Sequence, residues 1–293
     1  MLMNNKSFLN LNTGERTRKL LEDFDVIGTV QHLVLVPRGD YLEHLHENVR
    51  AAVIASTLGL SSIDYAKRRY GDFREEKSDS QSALHAYIDA YSCAKAYVNR
   101  MLEKLQSDGL PEPSLGVFGA SIVLERLPPS FFCAHFLYQM GHRYEGHAVS
   151  RLILEQIAWA YAAYSFNDLK AIEKIDTTRC ISLLKRFAKE AGRLYGFLSA
   201  KTHIDYASHS EFLRFENSTN VVLHAQPEFR EYGQVILVLA DLFGLVWELS
   251  QFNYIKYPEA IEQETEGPII RADRPFLAEM QRHTDAIERS LSE

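Results

Sequence analysis

The stretch HRYEGHAVSRLILEQIAWAYAAYSF, residues 142–166, decides the fold class of this chain. Between positions 148 and 166, apolar side chains occupy nearly every side of the helix that their spacing predicts, and neither Gly nor Pro interrupts the run. A helix that is apolar on all sides is buried among other elements of the protein. The stretch therefore predicts the central helix of a helical bundle.

Helical spacing also covers most of the chain on either side of this stretch. The further predicted helices span residues 41–58, 80–105, 118–127, 131–140, 177–201, 229–254 and 276–291. Strand-like alternation is scarce, and one short strand is predicted at positions 221–223. The sequence therefore predicts an all-α fold.

The segment SDGLPEPSLG, residues 107–116, is the best candidate linker, because it holds two prolines and two glycines. It divides the chain into a helical N-terminal region at 1–110 and a helical-bundle core at 117–256. A polar tail with a terminal helix follows at 257–293. The sequence leaves open whether the linker joins two domains or two halves of one bundle.

Composition excludes several classes of protein. The net charge of −7 argues against a broadly basic surface that follows phosphates. Three widely spaced cysteines predict reduced thiols and no disulfide framework. The longest apolar run, at 235–247, is shorter than the roughly 20 residues that cross a bilayer, and Asp241 within it needs a partner. With no recognisable secretion signal at the N-terminus, we expect a cytoplasmic protein without a membrane partner.

Polar residues interrupt the predicted core helix and define the candidate site. Arg151 and Glu155 lie four residues apart, so they share one helical face and can pair. In the helix that follows, Tyr195, Ser199 and His203 recur at the same interval. We expect this second face to pack on the first, with Glu155 accepting a hydrogen bond from His203 or Tyr195. Such a cluster either fixes the register of the helices or forms an acid–base site.

These residues carry a resemblance to a known group. The pattern R-x-x-x-E at Arg151, followed by L-Y-x-x-L-S-x-x-x-H ending at His203, resembles bacterial HEPN-like helical-bundle proteins of unknown function. The resemblance covers residues 143–209 and implies a HEPN-like bundle with an N-terminal helical extension. It also implies a homodimer and a defence or toxin-type effector that acts on RNA or nucleotides.

The chain departs from the pattern of catalytic HEPN ribonucleases, which use an arginine and a histidine separated by four to six residues. The one pair with that spacing, Arg38 and His44, lies outside the resembling region. Arg143 and His147 are too close together, and Arg193 is too far from His203. The departure weakens the ribonuclease interpretation.

Three functional hypotheses follow. In the first, His203 acts as general base, Glu155 orients it, and Arg151 steadies a phosphate or Glu155, with Tyr195 and Ser199 beside them. In the second, the polar cluster is structural and the chain is a non-catalytic module that binds a protein partner. In the third, the chain is a carboxylate–histidine metal enzyme with ligands at Asp205, His209 and Glu155. No organic cofactor is predicted.

Overall fold

The computed structural model describes residues 24–29, 32–37, 43–70, 79–105, 112–203, 210–216, 219–222, 228–265 and 267–292. Its described residues are predominantly helical, which confirms the predicted all-α character. The chain divides into two compact units, Met1–Ser78 and Asp79–Glu293.

The first unit contains a hairpin and two helices. Strands β1 (Phe24–Thr29) and β2 (His32–Pro37) pair antiparallel. Helix α1 (Glu43–Leu58) follows, then α2 (Ile63–Tyr70). Val36 of β2 is buried against Val53 of α1. The sequence predicted only helices in this region, because a six-residue strand carries a weaker periodic signal than a long helix.

The second unit is a bundle of nine helices among its described residues. Their bounds are α3 (Asp79–Glu103), α4 (Leu115–Glu125), α5 (Pro128–Gln139), α6 (Arg143–Ala163), α7 (Leu169–Glu173), α8 (Thr177–Phe187), α9 (Lys189–Thr202), α10 (Phe229–Ser250) and α11 (Pro275–Ser290). Two antiparallel hairpins interrupt them, β3 (Leu213–Glu216) with β4 (Thr219–Val222) and β5 (Ile261–Glu264) with β6 (Gly267–Ile270). Strand β4 overlaps the predicted strand at 221–223, whereas β3, β5 and β6 were not predicted.

Helix α10 lies at the centre of this bundle and packs against α3, α6 and α11. Almost all of its side chains are buried, as the apolar run predicts. Asp241 in this helix accepts two hydrogen bonds from the guanidinium of Arg274, at 2.8 and 2.7 Å, so it has the partner that its burial requires. Gly244 lets α3 approach closely, since a Cβ there would lie 2.1 Å from the Tyr97 hydroxyl.

Helix α3 belongs to the second compact unit, although it falls within the predicted N-terminal region. Its buried residues pack into the same core cluster as α10, among them Tyr87, Tyr97 and Met101. The polar tail also contributes to that core, because Ile261 of β5 is fully buried. The compact unit therefore starts before the proline-rich linker and continues past residue 257.

Two segments are long and apolar enough to cross a membrane, Leu115–Gln139 and Phe229–Ser250. The first is interrupted between α4 and α5 by a turn at Arg126, ahead of Pro128. Pro128 begins α5 at a position where its missing N–H costs nothing. The second segment is α10, which lies in the interior of the bundle.

Candidate functional site

A row of polar side chains follows one side of α6, formed by Arg143, His147, Arg151 and Glu155 at four-residue intervals. An α-helix turns about 100° per residue, so each step of four residues advances the row by about 40° around the helix axis. The row therefore winds from the interior to the surface. Arg143 and His147 are buried, whereas Arg151 and Glu155 are partly exposed.

The buried end of the row is a hydrogen-bonded network across three helices. His147 joins Glu231 of α10 through Nε2 at 2.7 Å and the Tyr138 hydroxyl of α5 through Nδ1 at 2.9 Å. Tyr138 in turn lies 2.8 Å from Ser150 Oγ. Arg143 donates to both carboxylate oxygens of Glu231, at 2.9 and 3.0 Å. We call these five residues the buried network.

Burial and charge together set the protonation of the buried network. Burial lowers the pKa of His147, and the opposing effect of the Glu231 carboxylate does not reverse that shift. For Glu231, burial alone would raise the pKa, but hydrogen bonds from His147 and Arg143 lower it to about 2. A neutral imidazole beside an ionised carboxylate donates from Nε2 to Glu231 and accepts from Tyr138 at Nδ1. Tyr138 then accepts from Ser150, so the Ser150 hydroxyl donates to Tyr138 and the Tyr138 hydroxyl donates to His147.

Close packing keeps substrates out of the buried network. The His147 ring is fully buried, and the ring of Tyr138 stacks on Tyr232 at a centroid distance of 4.2 Å. Gly146 allows this approach, because a Cβ there would lie 2.4 Å from Tyr138 Cδ1. A general base must come within hydrogen-bond reach of the proton that it removes. The buried network therefore connects α5, α6 and α10 and leaves no room for a substrate at His147.

The exposed end of the row centres on Arg151. Its Nε donates to Glu155 Oε1 at 2.9 Å, and its two terminal nitrogens donate to the Tyr195 hydroxyl at 3.1 Å and to Thr202 Oγ1 at 3.3 Å. The guanidinium also lies over the Tyr195 ring, 5.1 Å from its centroid. The predicted pairing of Arg151 with Glu155 and the packing of α9 on this face are confirmed. The pair is not sealed in the core, because 30% and 41% of the two side chains are exposed.

His203 lies beyond the end of α9 and does not meet Glu155 as predicted. It is the C-terminal cap residue of α9, with an extended backbone, and its side chain is exposed. Its Nε2 lies 3.3 Å from Ser199 Oγ, whereas Glu155 pairs with Arg151. The predicted contact between Glu155 and His203 is absent from the described residues, since the helical spacing that would place His203 on the shared face ends at Thr202.

The last turn of α9 links the two ends of the row. Lys201 Nζ lies 3.7 Å from Glu211 Oε1 and 4.0 Å from Glu231 Oε2. The next residue, Thr202, accepts from Arg151. Glu211 also accepts from Arg143 at 2.8 Å. Carboxylates balance Arg143, Arg151 and Lys201, so the described residues of the site offer no uncompensated positive charge to an anion.

The predicted alternative metal ligands are not brought together among the described residues. Asp205 and His209 lie outside the described residues, and Glu155 accepts from Arg151. Of the predicted ribonuclease pair, Arg38 also lies outside the described residues, and His44 is exposed on α1.

The buried network was not predicted as a site from the sequence. The four-residue interval between Arg143 and His147 was visible, and it continues into the interval from Arg151 to Glu155. This continuous four-residue spacing could have predicted that the residues on α6 form one polar row. Glu231 lies 84 residues after His147, so no local spacing could pair them.

Comparison with protein families, curated proteins and solved structures finds no match to this chain. The HEPN-like resemblance therefore stays a prediction. What the protein does is inferred from its own side chains.

Proposed function

We propose that this protein is a non-catalytic helical interaction module that assembles as a homodimer through α4. The observation that carries the proposal is the outer face of α4. Leu115, Phe118 and Ile122 are spaced for one side of a helix, and 49%, 55% and 50% of their respective surfaces are exposed. Contiguous exposed apolar side chains of this size are typical of protein interaction sites.

The scarcity of charge on α4 favours a second copy of the chain over a charged partner, because its one charged side chain, Glu125, is its last residue and accepts from the Ser121 hydroxyl at 2.6 Å. Residues 115–124 read LGVFGASIVL and contain no acidic or basic side chain. Two such faces do not repel each other, and they offer a charged partner nothing to pair with. In a two-fold homodimer the same patch meets itself, so an uncharged apolar face is self-complementary.

Phe166 is a further exposed apolar residue close to the start of α4. The N–H of Gly116 donates to the Phe166 carbonyl at 2.9 Å, and more than a third of Phe166 is exposed. Gly116 permits this contact, since a Cβ there would lie 2.1 Å from the carbonyl oxygen of Ala163. We call Leu115, Phe118, Ile122 and Phe166 the α4 patch. Aromatic and aliphatic side chains of this kind form the core of homodimer interfaces.

The polar row on α6 supports a non-catalytic role. All three nitrogens of Arg143 and of Arg151 already donate hydrogen bonds, and His147 is out of reach of solvent.

Cys93, Cys133 and Cys180 are free thiols, as in a reducing compartment, and we infer a cytoplasmic location.

Light scattering of the purified chain tests the homodimer. We expect a mass of about twice the 33.5 kDa of one chain, falling to one chain in Phe118→Glu and in Ile122→Glu. Each variant places a charge in a contact that excludes water. Leu183→Glu is the matched control, because Leu183 is similarly exposed on α8, outside the α4 patch. A monomeric wild type, or a dimer that survives both α4 variants, contradicts the proposal.

A second candidate function rests on the Ser199–His203 pair. A hydroxyl and an imidazole lie 3.3 Å apart at the exposed end of α9, and the same turn also meets Arg151 through Thr202. Under this candidate, His203 is a general base acting on RNA or nucleotides, as the HEPN-like resemblance implies. No contact within the described residues gives Glu155 the orienting role first assigned to it.

An RNA and nucleotide cleavage assay distinguishes the two candidates. If His203 is the base, His203→Ala lowers the rate by about a hundredfold or more while the fold is retained. His85→Ala is the control, because His85 is an exposed histidine on α3. Equal rates for the two variants remove the enzymatic candidate, and a wild type without cleavage leaves the interaction module as the proposal.

A further inference from the structure

Three side chains of metal-ligand type converge between α3 and α11, away from the polar row on α6. Cys93 belongs to α3, and Glu279 and His283 belong to α11. One ligand atom from each residue lies within 4.8 Å of the other two, and all three residues are partly buried. Cys93 Sγ donates to Glu279 Oε2 at 3.0 Å.

We propose that Cys93, Glu279 and His283 bind one zinc-class divalent cation that fastens the terminal helix α11 to α3. Thiolate, imidazole and carboxylate are the ligands that zinc takes in proteins. Magnesium and calcium prefer oxygen ligands alone, so the cysteine and the histidine select against them. The inference is independent of the homodimer, because none of the three residues belongs to the α4 patch.

The arrangement is close to the geometry that a tetrahedral ion requires. Zinc lies about 2.0–2.3 Å from its ligands, so ligand atoms around it are separated by about 3.5 Å. The ligand atoms of Cys93, Glu279 and His283 already lie within 4.8 Å of one another. Rotation of the side chains that moves these atoms by about 1 Å brings them to the separation that zinc requires. Glu279 and His283 are four residues apart on α11, which places both on the side that faces Cys93.

The fourth coordination position is open to water or to Asp89. Asp89 precedes Cys93 by one turn of α3 and is exposed. Three protein ligands with an open fourth position form a site that zinc occupies in other proteins.

Binding releases one proton and displaces one arginine. In the present structure, the Cys93 thiol carries its proton and donates a hydrogen bond to Glu279 Oε2 at 3.0 Å. The ion forms a bond to sulfur, and the thiol proton leaves to solvent. Arg282 lies 3.6 Å from Glu279 Oε2 and 3.3 Å from His283 Nε2. Its side chain is 67% exposed, so it can move into water when the ion enters.

Titration of the full chain, first freed of metal by a chelator, tests the site. We expect Co²⁺ to bind with a stoichiometry of one and to give a thiolate-to-cobalt absorption band. Zn²⁺ should displace Co²⁺ and raise the melting temperature, while Mg²⁺ should do neither. Zn²⁺ should also protect Cys93 from alkylation, as read by peptide mass spectrometry, while the exposed Cys133 stays reactive.

Variants of the ligands decide whether these three residues hold the ion. Cys93→Ser should abolish the cobalt–thiolate band, and Cys93→Ser and His283→Ala should each weaken zinc binding by about tenfold or more. Cys133→Ser is the matched control and should bind as the wild type does. Unchanged affinity in both ligand variants, or a wild type without the band, overturns the proposal and leaves Cys93 and Glu279 as a hydrogen-bonded pair.

Discussion

The two ends of the polar row on α6 have the same spacing and opposite environments. Arg143 and His147 are buried and meet Glu231, whereas Arg151 pairs with Glu155 and meets α9 near the surface. The difference arises because a four-residue repeat advances around the helix and does not stay on one line. Four-residue spacing therefore identifies neighbours on a helix, but not whether the protein interior or water surrounds them.

The two environments predict different energies for similar ion pairs. Breaking a buried pair leaves a charge without solvent or partner, which is strongly destabilising. Breaking an exposed pair lets water replace the partner, and the cost is small. Substitutions at matched positions of the two ends test this contrast.

The largest effect is expected for Glu231→Gln. The substitution leaves Arg143 and His147 without the carboxylate that accepts from both, and we expect a loss of about 3–5 kcal/mol in the free energy of unfolding. Glu211→Gln is the matched control, because Glu211 accepts from the same arginine but is 44% exposed, against 21% for Glu231. Urea denaturation measures the free energy of unfolding of the wild type and of both variants. Equal losses in the two variants would show that burial does not separate these carboxylates.

Acid should reduce the difference between wild type and Glu231→Gln. The folded-state pKa of Glu231 is about 2, below the ordinary 4.5, so its stabilisation is complete above pH 4.5 and is lost as the pH falls through the folded value. The shift corresponds to about 3 kcal/mol. Urea denaturation between pH 5 and pH 2 should show the two proteins converging. A difference that stays constant with pH contradicts the assigned ionisation of Glu231.

A smaller effect is expected for Tyr138→Phe. Removing this hydroxyl leaves His147 Nδ1 and Ser150 Oγ in the core without their described partner, at a cost of about 1–3 kcal/mol. Tyr195→Phe removes the corresponding hydroxyl beside Arg151 at the exposed end, where water can replace it. Thermal unfolding of the two variants compares the stability that each hydroxyl contributes. A larger loss of stability in Tyr195→Phe than in Tyr138→Phe would contradict the expected difference between the buried and exposed ends.

The smallest effect is expected for Glu155→Gln. Its partner Arg151 keeps hydrogen bonds to Tyr195 and Thr202, so the loss should be about 0.5 kcal/mol or less. The loss should diminish in high salt, which screens exposed charges. A loss of several kcal/mol, insensitive to salt, would place Glu155 in a buried environment.

Much of the fold was predictable because helical periodicity is strong in this chain. The burial of α10 followed from its apolar composition, and the need of Asp241 for a partner followed from its position in α10. The prediction that α6 is the central helix was wrong, because α6 is buried on only part of its surface and Leu152 on it is 49% exposed. The hairpins β1–β2 and β5–β6 were missed, because short strands give little periodic signal. The HEPN-like assignment, the homodimer and action on RNA or nucleotides stay predictions.

The candidate site was predictable only in its local half. Arg151 and Glu155 were paired from their spacing, and Tyr195 was placed beside them from the interval that it shares with Ser199. The expected contact of His203 with Glu155 failed, because α9 ends one residue before His203. The sequence marks helix ends less precisely than helix interiors, and a shift of one residue decides this contact.

The sequence by itself determined the helical class, the burial of α10 and the pairing of residues four apart. These properties depend on the period of the α-helix, which acts over neighbouring residues. Only the tertiary structure decided that Glu231 meets His147 across 84 positions and that Cys93 meets Glu279 across 186. Such contacts depend on how whole helices pack, and close packing of many side chains at once fixes which distant residues meet.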